Sequence, residues 1–375
     1  METDTQFMII VIGMVLILSL PLLVFLTKSV QNITPYLYMN ARLKAKEGRL
    51  ITKAQLEEMT ASHSISDISS ILESTVYGSE MQGSMINSSA NLEEMLQTHQ
   101  ANLYNELMGM MPEKIKDVFF YLCQELEVNT IKSLLRDIHA QIPVGHTSLK
   151  LTSNGELEEE KLKRLSESRN IAEMIPLLEG TSYESLMETL PGYEQSKKLH
   201  TLESLLDKIV LTNTWKIISS RGDLTLIQDY FALKVGVLNM KVLLRAKRDR
   251  LNWNEIEPFI FPQGHLFHQS KTSYGEEEDI RGLITGLEKM PFYNSLMEAL
   301  PEYEKTNSLL SLEKALDEFI LRTGWDISMK HPFGIGPLMG FLSLKEVEMR
   351  NVRALAVAKE ANLNHDDIRS LMVNI

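Results

Sequence analysis

A chain of 375 residues, 44% of them hydrophobic, is long enough for two or three domain-sized units around a sizeable core and is not a disordered chain. Its 50 Asp plus Glu outnumber its 38 Lys plus Arg, giving a formal net charge of -12. That balance does not neutralise phosphates, so nucleic acid is not an expected partner. The single cysteine, Cys123, can form no internal disulfide, and its place in the apolar run Val118-Phe-Phe-Tyr-Leu-Cys123 predicts a buried helix residue instead of a reactive thiol.

The first element lies within residues 1–30. Phe7, Met8, Ile9, Ile10, Val11, Ile12, Val15, Leu16, Ile17, Leu18, Leu20, Leu22, Leu23, Val24, Phe25 and Leu26 belong to one uncharged run over 7–26, with Ser19 and Pro21 as mild interruptions. At 1.5 Å per residue the run reaches about 30 Å, the hydrocarbon thickness of a bilayer, and it predicts a transmembrane anchor. A cleaved signal peptide is the competing reading; it needs a basic flank and a shorter apolar core, whereas Met1 to Gln6 is acidic. Lys28, Arg42, Lys44, Lys46, Arg49 and Lys53 all follow the run, so the expected orientation is a single pass in the cell membrane with the N-terminus outside and the body cytoplasmic. No ionisable side chain lies inside the run, so the helix is not expected to carry ions.

Beyond the linker, apolar residues recur at helical spacing, as in Leu202, Leu205, Leu206, Ile209 and Val210, and strand-like alternation is nearly absent. Leu, Met, Glu, Lys and Ala favour helix, so the body is expected to be all-α. An internal repeat organises it. Ser185 to Glu194 reads SLMETLPGYE and Ser295 to Glu304 reads SLMEALPEYE. The same offset of 110 relates Tyr183 to Tyr293, Glu188 to Glu298, Pro191 to Pro301, Tyr193 to Tyr303 and Trp215 to Trp325. A fainter first copy carries Tyr77 in Ile71-Leu-Glu-Ser-Thr-Val-Tyr77, and Asn129, Asn239 and Asn351 occupy similar places in a later helix of each copy. The repeat predicts three helical lobes, 36–143, 166–265 and 277–375, arranged as a quasi-threefold ring or funnel. A packing or docking role is expected of the repeated residues, because one active site does not need several copies.

Motifs that carry chemistry are mostly missing. The stretch from His331 to Gly340 is glycine-rich, but its internal Pro337 and the segment before it do not fit a dinucleotide fingerprint, and no G-x-x-x-x-G-K-[ST] occurs. The histidines are scattered; only His265 and His268 are close, and no Cys or carboxylate completes a ligand set beside them. No nucleophile elbow or zincin motif is present. The expectation is a chain with no catalytic residues, no cofactor, no metal and no small-molecule substrate of its own.

The order of features then points to a family. The apolar segment is followed by Tyr36-x-Tyr38-x-x-Ala41-Arg42-x-x-Ala45-x-x-x-Arg49-Leu50, then Leu72-Glu-Ser-Thr-Val-Tyr77, then the triplicated body. This resembles the C subunit of the archaeal A-type and bacterial V-type ATP synthase, in the AC39 family that includes the d subunit of the V-type ATPase, over about residues 36–375. The resemblance implies a funnel of three lobes on the proteolipid ring of the membrane sector, whose central socket receives the central-stalk subunits and passes torque between ion flow and ATP synthesis or hydrolysis. The family's soluble members lack the N-terminal span. A membrane-anchored helical scaffold unrelated to ATP synthesis is the alternative from another class.

Overall fold

A computed structural model describes residues 14, 19, 21, 23, 24, 27, 28, 30, 31, 33–81, 86–142, 155–262, 266–277 and 279–373, with backbone alone for 266–270. Among these residues every regular element is a helix, as the periodicity predicts. Six helices are long: α1 Ser89–Met110, α2 Glu113–His139, α3 Leu199–Ser219, α4 Thr225–Arg248, α5 Leu310–Lys330 and α6 Gly336–Glu360. They form three hairpins joined by short breaks that the sequence dictates. Met111 and Pro112 are extended between α1 and α2, and Pro337 sits in the first turn of α6, where its missing N–H costs nothing. The Ser88 hydroxyl accepts from the Asn91 N–H and caps α1.

The hairpins close into a ring. α2 packs on α3 of the next hairpin, α4 on α5, and α6 returns to α1. Each junction carries an Arg–Glu ion pair at 2.6 Å: Arg136–Glu203, Arg245–Glu313 and Arg353–Glu93, the last joining residues 260 apart. Each pair is partly exposed to solvent, so each contributes roughly 1 kcal/mol or less; they mark the register more than they hold it.

Hydrophobic burial holds the ring, and its cores cut across the repeat order. Val128, Ile131, Leu134 and Leu135 of α2 pack with Leu157 to Val210, whereas Val237, Met240, Leu243 and Leu244 of α4 pack with Tyr274 to Leu321. Met349, Val352, Leu355 and Ala356 of α6 pack with Met59 to Leu96, so the end of the chain completes the core of its beginning. A fourth core, the hub, gathers the opposite ends of the hairpins: Met111, Ile115, Val118 and Phe119 with Ile218, Ile227, Phe231, Leu338 and Phe341. The helix Leu37–Glu47 lays Met39 and Leu43 on this hub.

The three hairpins differ in how tightly they close. α5 and α6 approach where glycine faces serine: a Cβ on Gly340 would stand 2.4 Å from Ser328 Cβ, and one on Gly324 would meet Ser343. Thr214 occupies the place of Gly324 in α3, and that hairpin is looser.

The N-terminal expectation is corrected. Among the described residues no helix is long and apolar enough to cross a membrane. The described helices that reach membrane-spanning length alternate a buried apolar stripe with charged positions, which is the pattern of a packed bundle and not of a span. The single-pass transmembrane helix over 7–26, and with it the placement of the N-terminus outside and the body cytoplasmic, therefore does not stand. Of that segment only Met14, Ser19, Pro21, Leu23 and Val24 are described, and the remainder lies outside the described residues.

Candidate functional site

The ring encloses a central cavity of about 480 Å³ lined by α1, α2, α4 and α6. The left-handed residues that follow the second helix of each hairpin, Gln141, Arg250 and Asn362, set a common register with spacings of 109 and 112 (250 − 141 and 362 − 250). In that register the sides of the cavity wall given by α2, α4 and α6 form three-membered layers, one residue from each repeat, with α1 adding Gln97, Gln100 and Tyr104 beside them. Val118, Ile227 and Met339 form an apolar layer, and Leu122, Phe231 and Ser343 the next. One further turn along come Glu125, Lys234 and Glu346. Two turns of helix, about 10 Å, separate the first layer from the charged one. Past it the wall is polar, with Asn129, Thr130, Ser133, Arg136, Glu93 and Arg353. The apolar layers merge with the buried hub, while Arg136 is largely exposed, so the cavity opens at its polar end.

The charged layer is unevenly satisfied. Lys234 Nζ donates to both Glu125 oxygens, at 2.9 and 3.2 Å. Burial by itself would lower the Lys234 pKa, but the carboxylates of Glu125 and Glu346 carry it above the usual lysine range. Glu346 makes no hydrogen bond or ion pair with a described residue and is exposed to the cavity; the helices around it still push its carboxyl above the ordinary range, and Lys234 and Arg350 oppose that in part. Burial likewise raises the phenols of Tyr104 and Tyr230, which flank the cavity.

The repeated tyrosines lie outside the cavity, in the outer cores. Tyr183 is fully buried and donates its hydroxyl to Glu127 Oε1 at 2.6 Å, and Glu127 also accepts from the N–H groups of Glu156 and Leu157, at 3.2 and 2.6 Å. Tyr77 repeats the arrangement with Glu348 Oε1 at 2.6 Å, and Glu348 accepts from the Ile51 N–H. Glu127 and Glu348 are register-equivalent, so these are two copies of one latch that ties a long helix to the segment entering the next lobe. Burial raises the Glu127 carboxyl, partly offset by its three donors; burial and then the facing carboxylates raise both phenols. In the third core both partners change together: Gly236 stands in the glutamate position and the buried ring is Phe292, while the neighbouring Tyr293 is half-buried. A one-residue insertion ahead of SLMEALPEYE displaces the tyrosine, and the lost hydroxyl is matched by the lost carboxylate.

The other repeated residues are placed as follows. Asn239 and Asn351 are buried and equivalent; each side chain clamps a backbone N–H and C=O, those of Phe261 and Val373, at 2.8 to 2.9 Å. Asn129 lies on the cavity wall, and Thr130 occupies the position equivalent to Asn239. Glu188, Pro191, Glu298 and Pro301 lie on exposed faces of the helices Leu186–Ser196 and Tyr293–Thr306. Tyr193 meets His139 Nδ1 at 2.8 Å, and half-buried Tyr303 packs on the third core. The first lobe adds a buried ionisable cluster. His99 Nδ1 stands 3.3 Å from Glu80 and the ring lies 4.4 Å from that of Tyr77; Lys345, 4.2 Å over Tyr77, donates to Glu348 at 2.6 Å.

Among the described residues no group of three or more His, Cys, Asp or Glu could hold a metal, and the side chains of His265 and His268 lie outside the described residues. Cys123 is buried in the hub, which pushes its thiol up to about 12, as expected of an inert packing residue. Glu125, Lys234, Glu346, Glu127 and Glu348 were not legible as site residues, because a uniform offset of 110 does not superpose them.

Three helical hairpins closed into a ring about a cavity, with buried polar contacts tying long helices to neighbouring segments, define the class of fold. Comparison with known families gives the family. The model of the ATP synthase (C/AC39) subunit family matches residues 39–371, and the chain belongs to that family. Its relatives include the C subunit of the A-type ATP synthase of Methanocaldococcus jannaschii, 32% identical over 358 residues that cover 94% of this chain and 90% of the relative. The C subunit of Methanothermobacter thermautotrophicus is 31% identical over 88% of this chain and 86% of its own, and that of Methanosphaera stadtmanae 28% identical over 99% and 96%.

Proposed function

We propose that this chain is a non-catalytic rotor subunit of an A/V-type ATP synthase, which joins the proteolipid ring of the membrane sector to the central-stalk subunits. The observation that carries the reading is the axial cavity: three hairpins arranged about one axis make a socket with an apolar end and a polar opening, and a closed ring of packed helices resists twisting as a torque-bearing part must. The repeated signature residues serve packing in this reading, since the latches and asparagine clamps fasten each lobe to the next. Depletion and add-back test it. Membranes reconstituted without the chain should hydrolyse ATP without moving ions, and adding the chain should restore coupling; ATP-driven ion transport that persists in its absence would refute the assignment.

A further inference from the structure

The cavity layers carry more than shape. A socket built from three copies of one unit offers an asymmetric occupant three settings related by rotation about the axis, and its deepest layer distinguishes them weakly, because Val118, Ile227 and Met339 are all apolar. The next charged layer is different. Glu125 and Lys234 neutralise one another across 2.9 Å, which leaves Glu346 as the carboxylate of that layer with no hydrogen bond or ion pair to a described residue and the layer one negative charge in excess.

We infer that the Glu125, Lys234 and Glu346 layer is a register key: the segment of the central stalk seated in the cavity presents an apolar end to the hub and, about 10 Å behind it, a Lys or Arg that pairs with Glu346. The inference rests on the proposed seating of the stalk in this cavity. The cation is favourable in only one of the three settings. In the second its charge meets the ammonium of Lys234, and in the third it competes with Lys234 for Glu125, so like-charge repulsion rejects both. A carboxylate on the cavity wall that makes no hydrogen bond or ion pair with a described residue gains from such a cation without an existing bond having to break first. Glu346 is thereby a positioning residue for assembly.

The test uses the full chain and the purified central-stalk subunits of the same enzyme, with binding measured at two salt concentrations and the complex mapped by lysine cross-linking. Glu346→Gln keeps size and shape; it is expected to weaken binding about tenfold and to flatten the salt dependence. Its cross-links are expected to spread to equivalent positions of all three repeats, where the unaltered chain gives one set. Leu122→Asp, partly buried in the layer between the hub and the charged layer, separates the two levels of the claim. Loss of binding in Leu122→Asp with unchanged affinity, salt slope and cross-links in Glu346→Gln overturns the register key and leaves the seating intact. Stalk binding that neither variant alters, or no stalk binding by the unaltered chain, overturns the seating itself. A thermal melt of each variant that matches the parent chain confirms that folding is not the cause.

Discussion

Replacing Tyr183 by Phe removes one oxygen from a fully buried site and leaves the ring in place, so its effect isolates the hydroxyl. In the native chain Glu127 has three donors: the phenol at 2.6 Å and the N–H groups of Glu156 and Leu157. Without the phenol a largely buried carboxylate keeps only the two backbone donors. A hydrogen bond to a charged group contributes about 1.5–3 kcal/mol, so a loss of about 2 kcal/mol is expected at pH 7. The deficit should shrink on acidification. Burial holds the Glu127 pKa above the usual range, so the folded state binds this proton more tightly than the unfolded one, and the cost of the ionised form disappears as pH falls through that raised value. Urea unfolding of the purified chain, followed at pH 7 and pH 4.5, reads both effects as midpoint shifts. Tyr193→Phe is the control, because its hydroxyl meets only His139 near the surface and should cost less than about 1 kcal/mol. Equal midpoints for Tyr183→Phe and the parent at pH 7, or a deficit that grows toward acid, would refute the latch.

Other outcomes follow from the same contacts. Asn351→Ala strands the buried N–H and C=O of Val373 and should destabilise by about 2–4 kcal/mol, checked by denaturant midpoint against Asn364→Ala, an exposed helix cap expected to cost about 1 kcal/mol. Gly340→Ala gains about 1 kcal/mol of helix propensity but places a Cβ 2.4 Å from Ser328 Cβ, so overpacking of about 1–3 kcal/mol decides the sign and the melting temperature should fall; Gly192→Ala, with nothing near its Cβ, should raise it. His99 is held neutral, near a pKa of about 4, by burial and by Lys345, against the pull of Glu80 and Glu348, and it packs on Tyr77. A folded pKa below the unfolded value of about 6.5 means that stability is complete above that pH and declines as pH drops toward 4. His99→Gln should flatten the decline in unfolding midpoint over that window, and an unchanged profile would dismiss His99 as its source.

The helices were readable because they rest on local pattern. Leu202, Leu206 and Val210 recur at helical spacing and are buried in one core. What stayed hidden depends on register between distant segments. SLMETLPGYE and SLMEALPEYE align at 110, but the helices that line the cavity align at 109 and 112, since the connections between them differ in length. At 110 Glu125 falls on Val235, and the charged layer vanishes; Tyr183 falls on Tyr293, and the buried Phe292 goes unseen. The closure of α6 onto α1 has no local signal at all, because Arg353 and Glu93 are joined only by the folded ring.

The departures from threefold symmetry fall on different parts of the molecule, and together they give the ring a direction. The third core has lost the Glu–Tyr latch, with Gly236 and Phe292 in its place, while the hairpin α5–α6 has gained the close glycine–serine contact that the others lack. The first core also holds a buried cluster of Glu80, His99, Lys345 and Glu348. A latch held by hydrogen bonds to a buried carboxylate is specific but costly to open, because each broken bond leaves charge without partners. An apolar contact between helices slides at lower cost. The three joints therefore differ in stiffness, and a ring whose joints differ cannot turn by one third onto itself.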